Sequence, residues 1–280
     1  MLDILLIDNG SKRAEATLSL RSIAERLADR LGEPVHAVSL LHADKVPASA
    51  LGGRPADIFE SFLRDRLGAG QRDFLIIPLF FGPSRAISEF VPERIETLRQ
   101  TFGAFEVQVT RPLCPLPQGE PELTAILLEH IDQAASAQGI EPRRVLLVDH
   151  GSPVPAVTAV RRWLCDRLTE RLAPDIQIAE AVMERRPGAE YDFNGDLLEE
   201  RLLALATEDP TTPVILAMLF LSPGRHAGPG GDIAEICESV HQRHPGFRAY
   251  PSPLVGNHPG LIRMLAKRVA EVGQVSREEV

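Results

Sequence analysis

Two imidazoles and one carboxylate of this chain, His150, Glu184 and His226, each follow an apolar run of strand length: "VLLVDH", "AEAVME" and "AMLFLSPGRH". Neutral imidazole is a ligand for the divalent first-row metals Fe, Co and Ni, and a carboxylate adds a charged oxygen donor. So few protein ligands leave coordination positions open, and a metal held this way can be passed to a stronger set of donors. Imidazole also accepts a proton near neutral pH, a task it performs better than an unperturbed Glu. A single loop histidine is commonly held by local hydrogen bonds and nothing more. The functional reading therefore depends on whether the fold brings the three residues together.

The elements that must do so recur twice. "LLIDNGSKRA" (5–14) lies over "LLVDHGSPVP" (146–155), and "RSIAERLADRL" (21–31) over "RWLCDRLTERL" (162–172). "FLIIPLFFGPSR" (74–85) lies over "VILAMLFLSPGR" (214–225), and "RPLCPLPQGEPEL" (111–123) over "SPLVGNHPGL" (252–261). This is a tandem duplication, with domains expected at 1–138 and 143–272 and a tail at 273–280. Within the second copy, "RRVLLVDH" reads as a buried strand, and Val157, Val160, Leu164, Leu168 and Leu172 then recur at helical spacing. The strands "DIQIAEAVME", "TPVILAMLFL" and "FRAYPS" alternate with helices around "LLEERLLALA", "IAEICESVHQR" and "GLIRMLAKRVA". Continuous apolar strands separated by amphipathic helices imply an α/β class with two tandem doubly wound parallel-sheet domains. Ligands of such sheets bind beyond the carboxyl ends of the strands, where His150, Glu184 and His226 all fall.

The first copy has Asn9 in place of His150, a stretch "HAD" (42–44) near the place of Glu184, and Ala86 in place of His226. Neither histidine has a counterpart. The expectation is that the second copy carries the chemistry and the first serves as wall and scaffold, with a degenerate site.

Composition narrows the partners. A chain of 280 residues with 44% hydrophobic content can bury two cores of ordinary size. Its formal net charge of −9 disfavours a nucleic-acid backbone or an anionic membrane surface as partner. Asp3 follows Met1 and Leu2 with no secretory pattern, and the longest apolar run, "VILAMLFL" (214–221), is too short for a membrane span. A cytoplasmic location is expected, and assembly with identical chains is compatible with the sequence. Cys114, Cys165 and Cys237 are odd in number and widely spaced, which fits small hydrophobes rather than a disulfide framework or a metal knuckle.

Taken together, "VLLVDHGSPVP", "VMERRPG", "AMLFLSPGRHAGPGGDI" and "PLVGNHPGL" resemble the class II chelatases of the CbiX/SirB type, and the resemblance runs through both halves. It implies insertion of cobalt or ferrous iron into sirohydrochlorin, with His150 and His226 handling the metal and Glu184 matching a strand-end acidic residue. The divalent metal (Co, Fe or Ni) is then a substrate, no organic cofactor is expected, and the partner is a small tetrapyrrole. On this reading Arg185, Arg186 and Arg225 pair with substrate carboxylates. Gly228 and Gly230 would let the backbone approach a flat macrocycle and leave amides for its carboxylates. Ser152 lacks a Gly-x-Ser-x-Gly elbow, so it is placed with the substrate-binding set and as the N-cap of the following helix rather than as a nucleophile. A non-catalytic metal or tetrapyrrole carrier would use the same residues. His258 in "NHPG" reads as a structural turn residue, and Trp163, off the apolar stripe of its helix, as an interface or half-exposed residue.

Overall fold

The computed structural model describes residues 2–278, with side chains through residue 272. Strands β1 (Asp3–Asp8), β2 (Val35–Ser39), β3 (Asp57–Ile58), β4 (Asp73–Pro78) and β5 (Glu106–Val109) form one sheet in the order β3-β2-β1-β4-β5. Strands β6 (Arg144–Asp149), β7 (Gln177–Val182), β8 (Val214–Met218) and β9 (Ala249–Pro251) form a second in the order β7-β6-β8-β9. Every pairing is parallel. The inner strands β1 and β6 are continuous apolar runs because both of their faces are covered: Leu5, Leu6 and Ile7, like Leu146, Leu147 and Val148, are buried.

Helices α1 (Ala14–Leu31), α2 (Phe59–Gly68) and α3 (Val91–Phe102) follow the strands of the first sheet. Helices α5 (Pro155–Arg171), α6 (Leu198–Glu208) and α7 (Asp232–Arg243) follow those of the second. On one face of the first sheet Leu5, Ile7 and Ile76 pack with Leu63, Ile95 and Leu98. On the matching face of the second, Leu146, Val148 and Leu216 pack with Leu202 and Val240. Burial of each such side chain contributes about 1.5–3 kcal/mol.

The boundaries of the repeat are not those of the packed units. The chain forms one compact unit from residues up to Pro115 together with those from Pro259 onward, and a second from Leu116–His258. Helix α4 (Pro121–Gln138) ends the first repeat but packs on β8, β9 and α5, whereas α8 (Pro259–Glu278) ends the second repeat but packs on α1 and β4. The expected domains 1–138 and 143–272 are bounds of the sequence repeat, and the packed units differ from them in which terminal helix each includes. Arg268 of α8 explains part of the choice: its buried guanidinium donates to the carbonyls of Pro112 (3.0 Å) and Leu113 (2.9 Å) in the first unit. The tail expected at 273–280 continues α8 to Glu278, and residues 279–280 lie outside the described residues.

Cys114 is buried, and Cys165 and Cys237 are half-buried, in keeping with small hydrophobes. Burial pushes the thiols of Cys165 and Cys237 up to about 12 and about 11. His258 takes the structural part expected of it, with Nε2 2.9 Å from Glu129 Oε2 and its ring edge-on to His130.

Candidate metal centre

The turn after β6 is set by Asp149 and Gly151. Asp149 Oδ1 accepts a hydrogen bond from the Gly151 amide at 2.9 Å, which closes an Asx turn at the strand end. Gly151 has φ +88°, and a Cβ there would stand 2.0 Å from the carbonyl oxygen of Glu184. That close approach carries the pairing past the end of β7: Met183 N donates to Asp149 O and Glu184 N to His150 O, both at 3.0 Å. His150 and Glu184 therefore leave adjacent strand ends side by side, and both are exposed.

His226 arrives from the loop after β8. The amides of Asp232 and Ile233, opening α7, donate back to the carbonyls of Arg225 and His226 at 3.1 Å. The His226 side chain is buried, with its Nδ1 2.8 Å from Asp232 Oδ2 and its Nε2 3.4 Å from Glu184 Oε1. The rings of His150 and His226 meet edge to face, 4.7 Å between centroids. One ligand atom from each of His150, Glu184 and His226 lies within 4.8 Å of the others, and among the described residues this is the one such group able to hold a metal ion.

Burial, then the neighbouring His150, push the His226 pKa below the ordinary histidine value, against the opposing carboxylates of Glu184 and Asp232. The neutral ring donates its Nδ1 hydrogen to Asp232, leaving the Nε2 lone pair toward Glu184. Two acceptors held 3.4 Å apart repel unless a cation or a proton joins them. Asp232→Ala is accordingly expected to weaken Co2+ binding roughly 10- to 100-fold. Titration of the purified variant checks this, and unchanged affinity would show that Asp232 does not set the ring.

The remaining expected residues are placed less simply. Arg225 is exposed and spans two acids, with Nε 3.1 Å from Asp232 and a terminal nitrogen 3.6 Å from Glu184. Arg185 donates to Gly195 O at 3.0 Å within its own loop, and Arg186 stacks over Tyr191. The amide of Gly228 donates to Gly224 O at 3.0 Å, so it is not left for a ligand; Gly230 has φ +62° in the same turn. Ser152 is not the cap of α5. That position is Val154, and Ser152 Oγ accepts from the Val154 amide at 3.1 Å because the helix starts later, at Pro155. Trp163 is half-buried against Gly119, as a residue beside the apolar stripe should be.

Sequence reasoning missed Asp149, Arg161 and Asn194, which lie behind the two strand-end turns. A signal was present for Arg161, since it falls among Val157, Val160 and Leu164 on the apolar stripe of α5. In the first unit, Leu41 N donates to Asn9 O, and a Cβ on Gly10 would meet Leu41 O. By this pattern the counterpart of Glu184 is Leu41, one residue before "HAD". Asn9, Leu41 and Ala86 there offer neither imidazole nor carboxylate, and Ala86–Phe90 is a π-helical turn leading directly into α3.

A protein-family model described as CbiX matches residues 3–134 and 144–272. Among solved structures, "SirB from Bacillus subtilis with Fe3+" superposes with a TM-score of 0.71 at 17% identity, covering 99% of this chain and 97% of that one. SirB from Bacillus subtilis subspecies spizizenii in complex with cobalt gives 0.66 at 15% identity, with 96% and 94% covered. A CbiX described as the terminal enzyme for biosynthesis of siroheme in denitrifying bacteria gives 0.57 at 19%, with 96% and 98% covered. At these identities the likeness is one of fold. No curated protein sequence matches at a significant level.

Proposed function

Since the chain belongs to the CbiX family, we propose that it inserts a divalent metal, cobalt or ferrous iron, into sirohydrochlorin or a related tetrapyrrole. The observation that carries this reading is the convergence of His150, Glu184 and His226 within 4.8 Å at the carboxyl edge of the second sheet. The solved SirB structures with Fe3+ and with cobalt support it through their fold.

The chemistry follows from the donor set. Two imidazoles and a carboxylate bind a first-row metal while leaving coordination positions open. The four pyrrole nitrogens replace the protein donors, and two pyrrole protons must leave. Each imidazole that gives up the metal can take a proton in exchange, with Glu184 assisting, so the macrocycle gains the metal while the protein carries the protons away. On this reading Arg225, beside Glu184 and His226, and Arg185 and Arg186, which follow Glu184 in the chain, pair with the substrate carboxylates. The burial that lowers the His226 pKa favours the neutral ring, the form a metal requires.

Binding of Co2+ should therefore persist to lower pH at this ring than at an ordinary histidine. It should then fall by about tenfold per pH unit for each imidazole that must lose a proton. Titrations from pH 7.5 to 4.5 test this, and affinity constant across the range would exclude imidazole ligands. Anaerobic incubation with sirohydrochlorin and Co2+, Fe2+ or Ni2+ in turn, followed by absorbance, tests the reaction. Repeated turnover supports a chelatase, and stoichiometric binding without metallation identifies a carrier instead.

A further inference from the structure

The charged cluster beneath the two strand-end turns is present in one unit and absent from the other. Arg161 of α5 is buried, yet its guanidinium makes three short contacts: to Asp149 Oδ1, to Glu180 Oε2 and to the carbonyl of Asn194, each 2.6 Å. Asp149 immediately precedes His150 and receives the Gly151 amide. Asn194 closes the other side of the same turn: its Oδ1 accepts from Ser152 N (3.0 Å) and Thr158 Oγ1 (3.2 Å), and its Nδ2 donates to Ser152 O (2.9 Å). Glu180 belongs to β7, the strand that continues to Glu184. One side chain thus ties together the residues on both sides of His150 and the strand that presents Glu184.

Stability alone does not account for the cluster. A buried ion network is often matched or bettered by apolar residues of similar size, because desolvation offsets most of the attraction. The duplication supplies that comparison within one molecule. Leu20 holds the place of Arg161 in α1 and is buried, and by strand register Ala37 holds the place of Glu180. Asp8, the counterpart of Asp149, is held instead by Ser39 Oγ at 2.7 Å, where the second unit has Val182. The apolar version folds an equivalent turn, but that turn carries Asn9 beside Leu41.

We infer that Arg161 is a positioning residue for the proposed metal centre, fixing the His150 turn through Asp149 and Asn194 so that the imidazole is aimed before metal arrives. This rests on the reading of His150, Glu184 and His226 as ligands, and preorganisation of that kind is expected to govern affinity more than folding.

The test is Co2+ binding to the full chain, followed by the visible spectrum of the bound ion and by titration. The chosen variant is Arg161→Leu with Glu180→Ala and Val182→Ser, which installs the arrangement already present in the first unit. Arg161→Lys, which keeps the charge but not the three-way reach, is the second variant. The triple variant should melt near wild type, bind Co2+ roughly 10- to 100-fold more weakly and show an altered spectrum, and Arg161→Lys should fall between. In a His150→Ala background the triple change should add little, since the residue it positions is gone. Wild-type affinity and spectrum in either folded variant would overturn the inference, as would an equal further loss in the His150→Ala background. Failure of wild type to bind Co2+, or an unchanged affinity in His150→Ala alone, would instead overturn the ligand assignment itself and this inference with it.

Discussion

His150→Ala and His226→Ala are each expected to lower metal insertion about 100-fold or more, the scale on which removing a group that both binds and accepts protons is felt. His150 is exposed at a loop, so its loss should leave the melting temperature nearly unchanged. His226 is buried and bonded to Asp232, so some loss of stability should accompany its loss of activity. Asn9→Ala is the control from the equivalent turn of the first unit and should cost little turnover. Steady-state insertion assays with parallel melting curves decide the matter. If Asn9→Ala abolished insertion at normal stability while His150→Ala did not, the chemistry would belong to the other unit.

Gly151→Ala should remove both stability and metal binding. A left-handed φ costs a non-glycine residue about 1–2 kcal/mol, and here a Cβ would also collide with the Glu184 carbonyl 2.0 Å away. That collision is with backbone, and relieving it means separating the strand ends that hold His150 and Glu184 together. A melting temperature lower by at least about 5 °C and a loss of Co2+ affinity are expected together. Gly10→Ala makes the same collision with Leu41 O, 1.8 Å away, and should destabilise without affecting Co2+ affinity. Retained affinity in Gly151→Ala would show that the paired turns are not what holds the ligands.

The order of elements and the duplication are written in local pattern, which also singled out the three residues of the candidate centre. Strand and helix are written in local periodicity, and "VLLVDH" is apolar throughout because a central parallel strand is covered on both faces. His150, Glu184 and His226 were legible because each follows a strand, and parallel strands of one sheet end along one edge. What the sequence left open concerns contacts between segments with no shared local pattern. By periodicity the apolar faces of α4 and α8 suit a parallel sheet of either unit equally well. Contacts such as those of Arg268 with Pro112 and Leu113 decided which helix each unit took. The counterpart of Glu184 falls on Leu41, one residue before "HAD", because strand register is set by hydrogen bonds across the sheet, not by residue count along the chain. Asp232 on His226 and Arg161 beneath His150 act through side-chain reach between elements, and only the tertiary structure brings those atoms within 3 Å.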